Sequence, residues 1–205
     1  MSVADDGTVT HKQGRLEIRL RPMSDEELNR QFAVNSQQGP RSTNPYTFGD
    51  WAPHGEGQTP PRFTVFRLKV SNYQFPKIKI DPQSARISTA NTRQYPSLTY
   101  SELYTYFRAH WLGRTGLGRK AFQARTDALK QTMYSDALVF SGNEEQGYLV
   151  FPALNDDVAE IEVHIQNIAL RFDYTDAPVE SIDLSFAFQR DILQGRTRTT
   201  AVRRN

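Results

Sequence analysis

Residues 182–188 read Ile-Asp-Leu-Ser-Phe-Ala-Phe and alternate strictly between large apolar side chains and polar or small ones. Because successive side chains of a β-strand point to opposite faces, Ile182, Leu184, Phe186 and Phe188 fall on one side of an extended chain. This pattern predicts a strand with one face in a hydrophobic core and the other towards solvent.

The same period of two recurs along the chain, separated by turn residues. It is found in residues 15–21, 62–72, 77–80, 85–89, 136–140, 147–151 and 158–174. We expect 136–140 and 147–151 to pair as a hairpin. No strand–helix–strand alternation recurs, which disfavours a parallel sheet. The patterns therefore predict a mainly β fold in one domain, residues 1–205: an antiparallel immunoglobulin-like β-sandwich of seven or eight strands, with a small open barrel as the alternative.

Residues 158–174 contain two strand registers. Ile161, Val163 and Ile165 are odd-numbered, whereas Ile168 and Leu170 are even-numbered. A change of parity turns every later side chain to the other face, so the strand needs a β-bulge or a bend near residues 166 and 167.

Two sequences carry the signature of a helix start. Ser24 followed by Glu27, and Thr99 followed by Glu102, match the capping box, in which each side chain bonds the other residue's backbone N–H. The second signature opens a predicted two-helix insertion over residues 99–135. In its first helix, Leu103, Phe107 and Tyr106 are expected to face inward, and Tyr104 and Arg108 to face away.

Residues 33–61 contain five prolines and four glycines, which excludes a long strand or helix. The segment is also long for a loop within a compact domain. It contains Tyr46, Phe48 and Trp51, which a disordered linker would tend to lack. We interpret it as an ordered Pro/Gly-rich arm that lies over this domain or over a neighbouring molecule.

The composition restricts the chemistry that the chain can perform. Its 205 residues contain no cysteine, which excludes disulfides, thiolate catalysis and cysteine-held clusters, and no cofactor is expected. No stretch approaches the ~20 apolar residues that span a bilayer. The polar start shows no signal peptide, so the chain is expected to be cytoplasmic as written, or extracytoplasmic if a leader has been removed. Residues 63–72, followed by Ile-Asp-Pro at 80–82, resemble exported bacterial sandwich domains, which implies the cell envelope.

Two weak constellations point to chemistry. Residues 113–121 have glycines at phosphate-loop spacing, but Arg119 stands where lysine is needed and no Ser or Thr follows it, so a glycine turn between helices is the better interpretation. Glu160, Glu162 and His164 share one strand face and could ligate a metal, although their spacing rarely brings three ligands together.

We expect a non-catalytic accessory subunit that docks onto a larger protein assembly through the arm, the helical insertion and an Arg-rich tail, residues 191–205. Aromatic residues and arginine are enriched in interfaces, and the tail could bind an acidic protein or anionic lipid. With a net charge of +2, nucleic acid is not an expected partner. The alternatives are a carbohydrate- or small-ligand-binding module and a metal-dependent enzyme using Glu162 and His164. The candidate partner-binding residues are Tyr46, Phe48, Trp51, Tyr104, Arg108, Arg114, Arg119, Arg196 and Arg198.

Overall fold

The computed structural model describes residues 1–37, 39–51, 59–112, 118–193 and 196–201. The helices are α1 (Asp25–Gln31), α2 (Ala33–Ser36), α3 (Tyr100–Leu112) and α4 (Gly118–Thr132), with short 3-10 helices at Gly39–Arg41 and Pro82–Ser84. The strands are β1 (Ser2–Val3), β2 (Val9–Gln13), β3 (Leu16–Met23), β4 (Phe63–Asn72), β5 (Lys77–Lys79), β6 (Ala85–Thr89), β7 (Gln94–Pro96), β8 (Leu138–Phe140), β9 (Asn143–Pro152), β10 (Glu160–Phe172), β11 (Pro178–Leu193) and β12 (Arg196–Ala201).

The strands form two antiparallel sheets that pack face to face. The first sheet has the order β1-β2-β3-β4-β9. In the second sheet the order is β12-β11-β10-β5-β8, and β6 also pairs with β10 and carries β7 at its outer edge. This arrangement confirms the predicted antiparallel β-sandwich. The described strands outnumber the seven or eight expected, because β1, β2, β7 and β12 are short or lack alternating apolar residues.

The main core lies between the two sheets and consists of the predicted apolar faces. Leu16, Ile18 and Leu20 of β3 pack there with the apolar residues of β10 and β11. At the centre, the ring centroids of Phe66 and Phe188 lie 5.1 Å apart, one from each sheet. Burial of these side chains supplies the main favourable term in folding.

A second core lies on the opposite side of the first sheet. Phe63 and Val65 of β4 point away from the main core and would face water if nothing covered them. Helices α1, α3 and α4 cover them with Leu28, Leu103, Phe107 and Leu129. The helices therefore form a third layer over one half of the outer face of this sheet, and the other half carries charged side chains.

The described part of the arm, residues 33–37, 39–51 and 59–61, belongs to this third layer, so it lies over this domain and Tyr46 is not free for a partner. Asn44 is fully buried, and its side-chain NH₂ donates to Ser36 Oγ at 2.9 Å and Asn29 Oδ1 at 3.2 Å. Gly49 has φ +73°, and a Cβ there would lie 2.5 Å from the carbonyl oxygen of Ser36. Buried polar contacts thus fasten the arm, which includes α2, to itself through Ser36 and to α1 through Asn29.

Two further expectations are corrected. Strands β8 and β9 do not pair as a hairpin: β8 pairs with β5 in the second sheet, and β9 pairs with β4 in the first. The chain crosses between the sheets at residues 141 and 142. Within the predicted Arg-rich tail, which was not expected to form a strand, residues 196–201 form β12 and extend the second sheet beside β11.

Both local signatures in the sequence are confirmed. Glu27 N donates to Ser24 Oγ and Ser24 N donates to Glu27, and the same pair of bonds joins Thr99 and Glu102. The register of β10 against β11 shifts between Ile165 and Ile168, as the change of parity requires. At the bulge, Asn167 has φ +54°, and its N–H donates to Asp183 Oδ1 at 2.8 Å.

The bulge predicts a specific ranking of substitutions at Asn167. Its side chain is exposed, so the backbone angle rather than packing decides the outcome. We expect Asn167→Val to lower the free energy of unfolding by about 1–2 kcal/mol, because β-branched residues disfavour positive φ, whereas Asn167→Gly should change it by less than about 0.5 kcal/mol. Urea denaturation of the two variants and the wild type measures this. Equal destabilisation by Val and Gly would contradict it.

Candidate docking surface

The α3 helix places a row of aromatic side chains at the surface of the third layer. It begins at the Thr99 cap, where Glu102 accepts the backbone N–H of Thr99 at 2.7 Å, and this bond lowers the pKa of Glu102. Leu103 and Phe107, one turn apart, point into the second core. Among the described side chains of α3, Tyr104 and Arg108 are turned away from that core.

We define the helical face as Tyr100, Tyr104 and Arg108 of α3 with Arg119 and Phe122 of α4. The Tyr104 ring meets the Phe122 ring edge-on with centroids 5.0 Å apart, and lies 6.1 Å from the ring of Tyr100. Tyr104 is nevertheless 37% exposed, and Arg108 and Arg119 are exposed beside it. The helical face therefore presents two kinds of group: aromatic rings that contact other rings, and cations that are accessible to solvent.

Tyr106 extends the aromatic surface on the other side of α3. The sequence predicted that it faces inward, but it is 44% exposed, and its ring lies 5.4 Å from that of Phe63 at the margin of the second core. Residues two apart on a helix lie on different faces, so Tyr104 and Tyr106 cannot both be buried by one neighbouring layer.

Two buried arginines support the helical face from beneath. Arg62 donates to the carbonyl of Asn44 at 3.0 Å, and its guanidinium carbon lies 4.1 Å from the centroid of the Phe48 ring. Arg125 donates to the carbonyl of Ser42, and its guanidinium carbon lies 5.4 Å from the centroid of Phe107. Charged hydrogen bonds to buried carbonyls together with cation–π contacts hold the arm against α3 and α4.

Asp25, in the first turn of α1, is the acidic member of this cluster. Burial raises the pKa of Asp25 to about 6, and the charge of Arg62 acts in the opposite direction. Burial is the main reason that the pKa of Arg62 falls to about 10; the charge of Arg125 acts in the same direction, and Tyr106 and Asp25 oppose it. The carboxyl group of Asp25 is therefore close to its titration point in mildly acidic solution, while Arg62 stays charged.

The predicted arm residues are not brought together as a surface. Tyr46 is fully buried, with its ring 5.0 Å from that of Tyr148 and its hydroxyl bonded to Thr132. The assignment of Tyr46 to partner binding is therefore wrong, because its ring is fully buried in the second core. Phe48 and Trp51 are half-buried and meet edge-on at 6.0 Å. The buried Tyr46 is thus also unavailable to stack on a carbohydrate.

The remaining predicted residues divide into two groups. Arg114 lies outside the described residues, as do the side chains of Arg196 and Arg198, whose backbones belong to β12. His164 contacts Ser88 Oγ through Nε2 at 2.6 Å and Ser185 Oγ through Nδ1 at 2.7 Å. Glu162 approaches the ring of His164 only to 3.9 Å.

The proposed metal cluster is not supported by this geometry. Both ring nitrogens of His164 already have hydrogen-bond partners across neighbouring strands. Across the ranges that the structure describes, no three side chains of His, Asp, Glu or Cys converge as a metal site would require.

Comparison with known proteins does not name a family. No family model matches the chain, and no curated protein matches it. The chain resembles the crystal structure of a secreted protein from Mycobacterium tuberculosis, MPT63, at 9% sequence identity and a TM-score of 0.33 over 76% of this chain and 82% of that one. Within the described residues, no helix is both long and apolar enough to cross a membrane.

Asp25 makes the stability of the fold depend on pH. The pKa of Asp25 is higher in the folded state than in the unfolded chain. The stability that its protonated carboxyl group gives the fold is therefore complete below pH ~3.8 and is lost as the pH rises through about 6. We expect Asp25→Asn to stabilise the protein by up to about 3 kcal/mol at pH 7.5 and by little at pH 4.

Thermal and urea unfolding at both pH values test this prediction. Asp127→Asn is the matched control, since Asp127 is exposed on α4 and should give the same small effect at both. A stabilisation by Asp25→Asn that is independent of pH would refute the assignment.

Proposed function

We propose that the protein is a non-catalytic accessory subunit that docks onto an acidic surface of a larger protein assembly through the helical face. The observation that carries the proposal is the incomplete burial of the α3 rings. Tyr104 keeps more than a third of its surface exposed although neighbouring rings fix its position. Aromatic residues held in one conformation lose little entropy on binding, which favours them as interface anchors.

The charges around these rings favour an acidic partner. Arg108, Arg119, Lys120 and Lys130 are exposed on α3 and α4, against the exposed carboxylates of Glu102 and Asp127. Electrostatic complementarity of this kind steers association and selects the partner's orientation. The arm serves the interface indirectly, because it supports α3 and α4 from the side of the second core. The likeness of residues 63–72 to exported sandwich domains supports a place in the bacterial cell envelope.

Site-specific photocrosslinking in the native cell tests this proposal. A benzoylphenylalanine in place of Tyr104 should yield one discrete adduct, and mass spectrometry should place the crosslink in an acidic surface segment of the partner. Tyr73 is the matched control position, because it is 43% exposed at the far end of β4. We expect the adduct from position 73 to be at least fivefold weaker.

A charge reversal completes the design. Arg108→Glu in the position-104 variant should reduce the adduct at least fivefold, because it opposes the negative charge expected on the partner. Equal adducts from positions 104 and 73, or no adduct at position 104 in cells that contain the folded protein, would rule out the helical face as the docking site.

A further inference from the structure

The uncovered half of the first sheet contains an unusual arrangement of like charges. In the pairing of β3 with β4, Arg19 lies directly opposite Lys69 and Arg21 directly opposite Arg67. Opposed residues in a sheet have Cβ atoms about 4.5–5.5 Å apart, and like charges in such pairs are destabilising. Two consecutive cation–cation pairs therefore form a cluster of four cations on one face of the sheet.

Three of these four cations have carboxylate partners at the rim of the cluster. Arg19 pairs with Glu17, Lys69 Nζ lies 2.6 Å from Glu144, and Arg21 pairs with Glu27 and lies 3.4 Å from Asp6. Arg67 is half-buried, and no ion pair joins it to another residue in the part of the chain that the structure describes. Among the four cations, Arg67 is thus the one that has no carboxylate partner within the described residues.

A groove with a volume of about 470 Å³ lies at this cluster. The volume is in the range of sites for small ligands. Hydroxyl groups of Ser2, Thr8 and Thr10 line the groove beside the cations and add neutral hydrogen-bond donors. Its lining includes five cationic side chains, two carboxylates and no aromatic ring. The complete lining is Ser2, Ala4, Asp6, Thr8, Thr10, Lys12, Glu17, Arg19, Arg21, Arg67 and Lys69.

The geometry points to a binding site for a small phosphate monoester in this groove. A phosphate monoester carries close to two negative charges at neutral pH and has three free oxygens. It can therefore accept hydrogen bonds from guanidinium groups on β3 and β4 together, which a single carboxylate does less well. Planar guanidinium groups match phosphate oxygens in a bidentate arrangement. Without a ring for stacking, the groove recognises the charged group rather than an organic ring.

This site is independent of the proposed docking of the helical face. It lies on the half of the sheet that the helices leave open, and its ligand is a small anion rather than a protein surface. Binding of a phosphate ester to the isolated full-length protein can thus succeed or fail whatever the crosslinking experiment shows.

Calorimetry with three related anions tests the proposal. Phenyl phosphate, phenyl sulfate and benzoate share one ring and differ in charge and in the number of oxygens. At pH 7.5 and low salt we expect phenyl phosphate to bind at least tenfold more tightly than the other two. Its affinity should fall at least threefold at pH 5, where the phosphate is a monoanion. Equal binding of all three anions would overturn the proposal, because it would show only a general attraction for negative charge.

A pair of variants locates the site. Arg67→Gln should weaken phenyl phosphate binding at least tenfold, and Lys79→Gln, which removes the same charge from the other sheet, should change it less than twofold. Without ligand, Arg67→Gln should unfold at the same or a higher temperature than the wild type, since it relieves the repulsion from Arg21. Equal loss of binding in both variants, or unchanged binding in Arg67→Gln, would refute the assignment.

Discussion

The structure depends on the change of character along the outer face of β4. Phe63 and Val65 are apolar and need a cover, whereas Arg67 and Lys69, further along the same face, need solvent or an anion. The apolar half is the reason that helices pack onto the sandwich at all, since exposed apolar area is unfavourable in water. The same strand seals the main core with Phe66 and Leu68 on its other side. Strand β4 thereby sets the boundary between the part of the sheet that the helices cover and the part that forms the groove.

The second core is closed by polar groups as much as by apolar ones. Asn44, Arg62 and Arg125 are buried, and each bonds a carbonyl or a side chain of a neighbouring segment. A Pro/Gly-rich segment cannot satisfy its own backbone by regular structure, so these side chains supply the missing partners. The described part of the arm is consequently an integral part of the fold, and the exposed rings described in the third layer are those of Tyr104 and Tyr106 in α3.

Sequence periodicity predicted the sandwich because it reports which side of a strand is buried. Periodicity also located the bulge at Asn167, and local motifs located both capping boxes, because these features depend only on neighbouring residues. It failed wherever the answer depends on which segments meet in space. Strands β8 and β9 are adjacent in the chain but belong to different sheets. The burial of Tyr46 could not be predicted either, because the proline and glycine content of the arm describes its backbone and not which residues cover its rings. The paired cations of β3 and β4 appear only once the register is known.

The groove and the helical layer share one carboxylate. Glu27 accepts the N–H of Ser24 and so completes the cap of α1, and it also pairs with Arg21 at the edge of the groove. A helix-capping interaction of this kind contributes about 1 kcal/mol to the free energy of unfolding, which is comparable to a partly exposed ion pair. An anion bound to Arg21 would compete with Glu27 Oε1 for the guanidinium group, whereas the bond from Ser24 N–H is made to the other oxygen, Oε2. The charged half of the sheet is therefore tied to the start of α1, and through Asn29 and Asn44 to the arm that supports α3. Helix α1 thus contributes Glu27 to the edge of the groove and Asn29 to the contact with the arm.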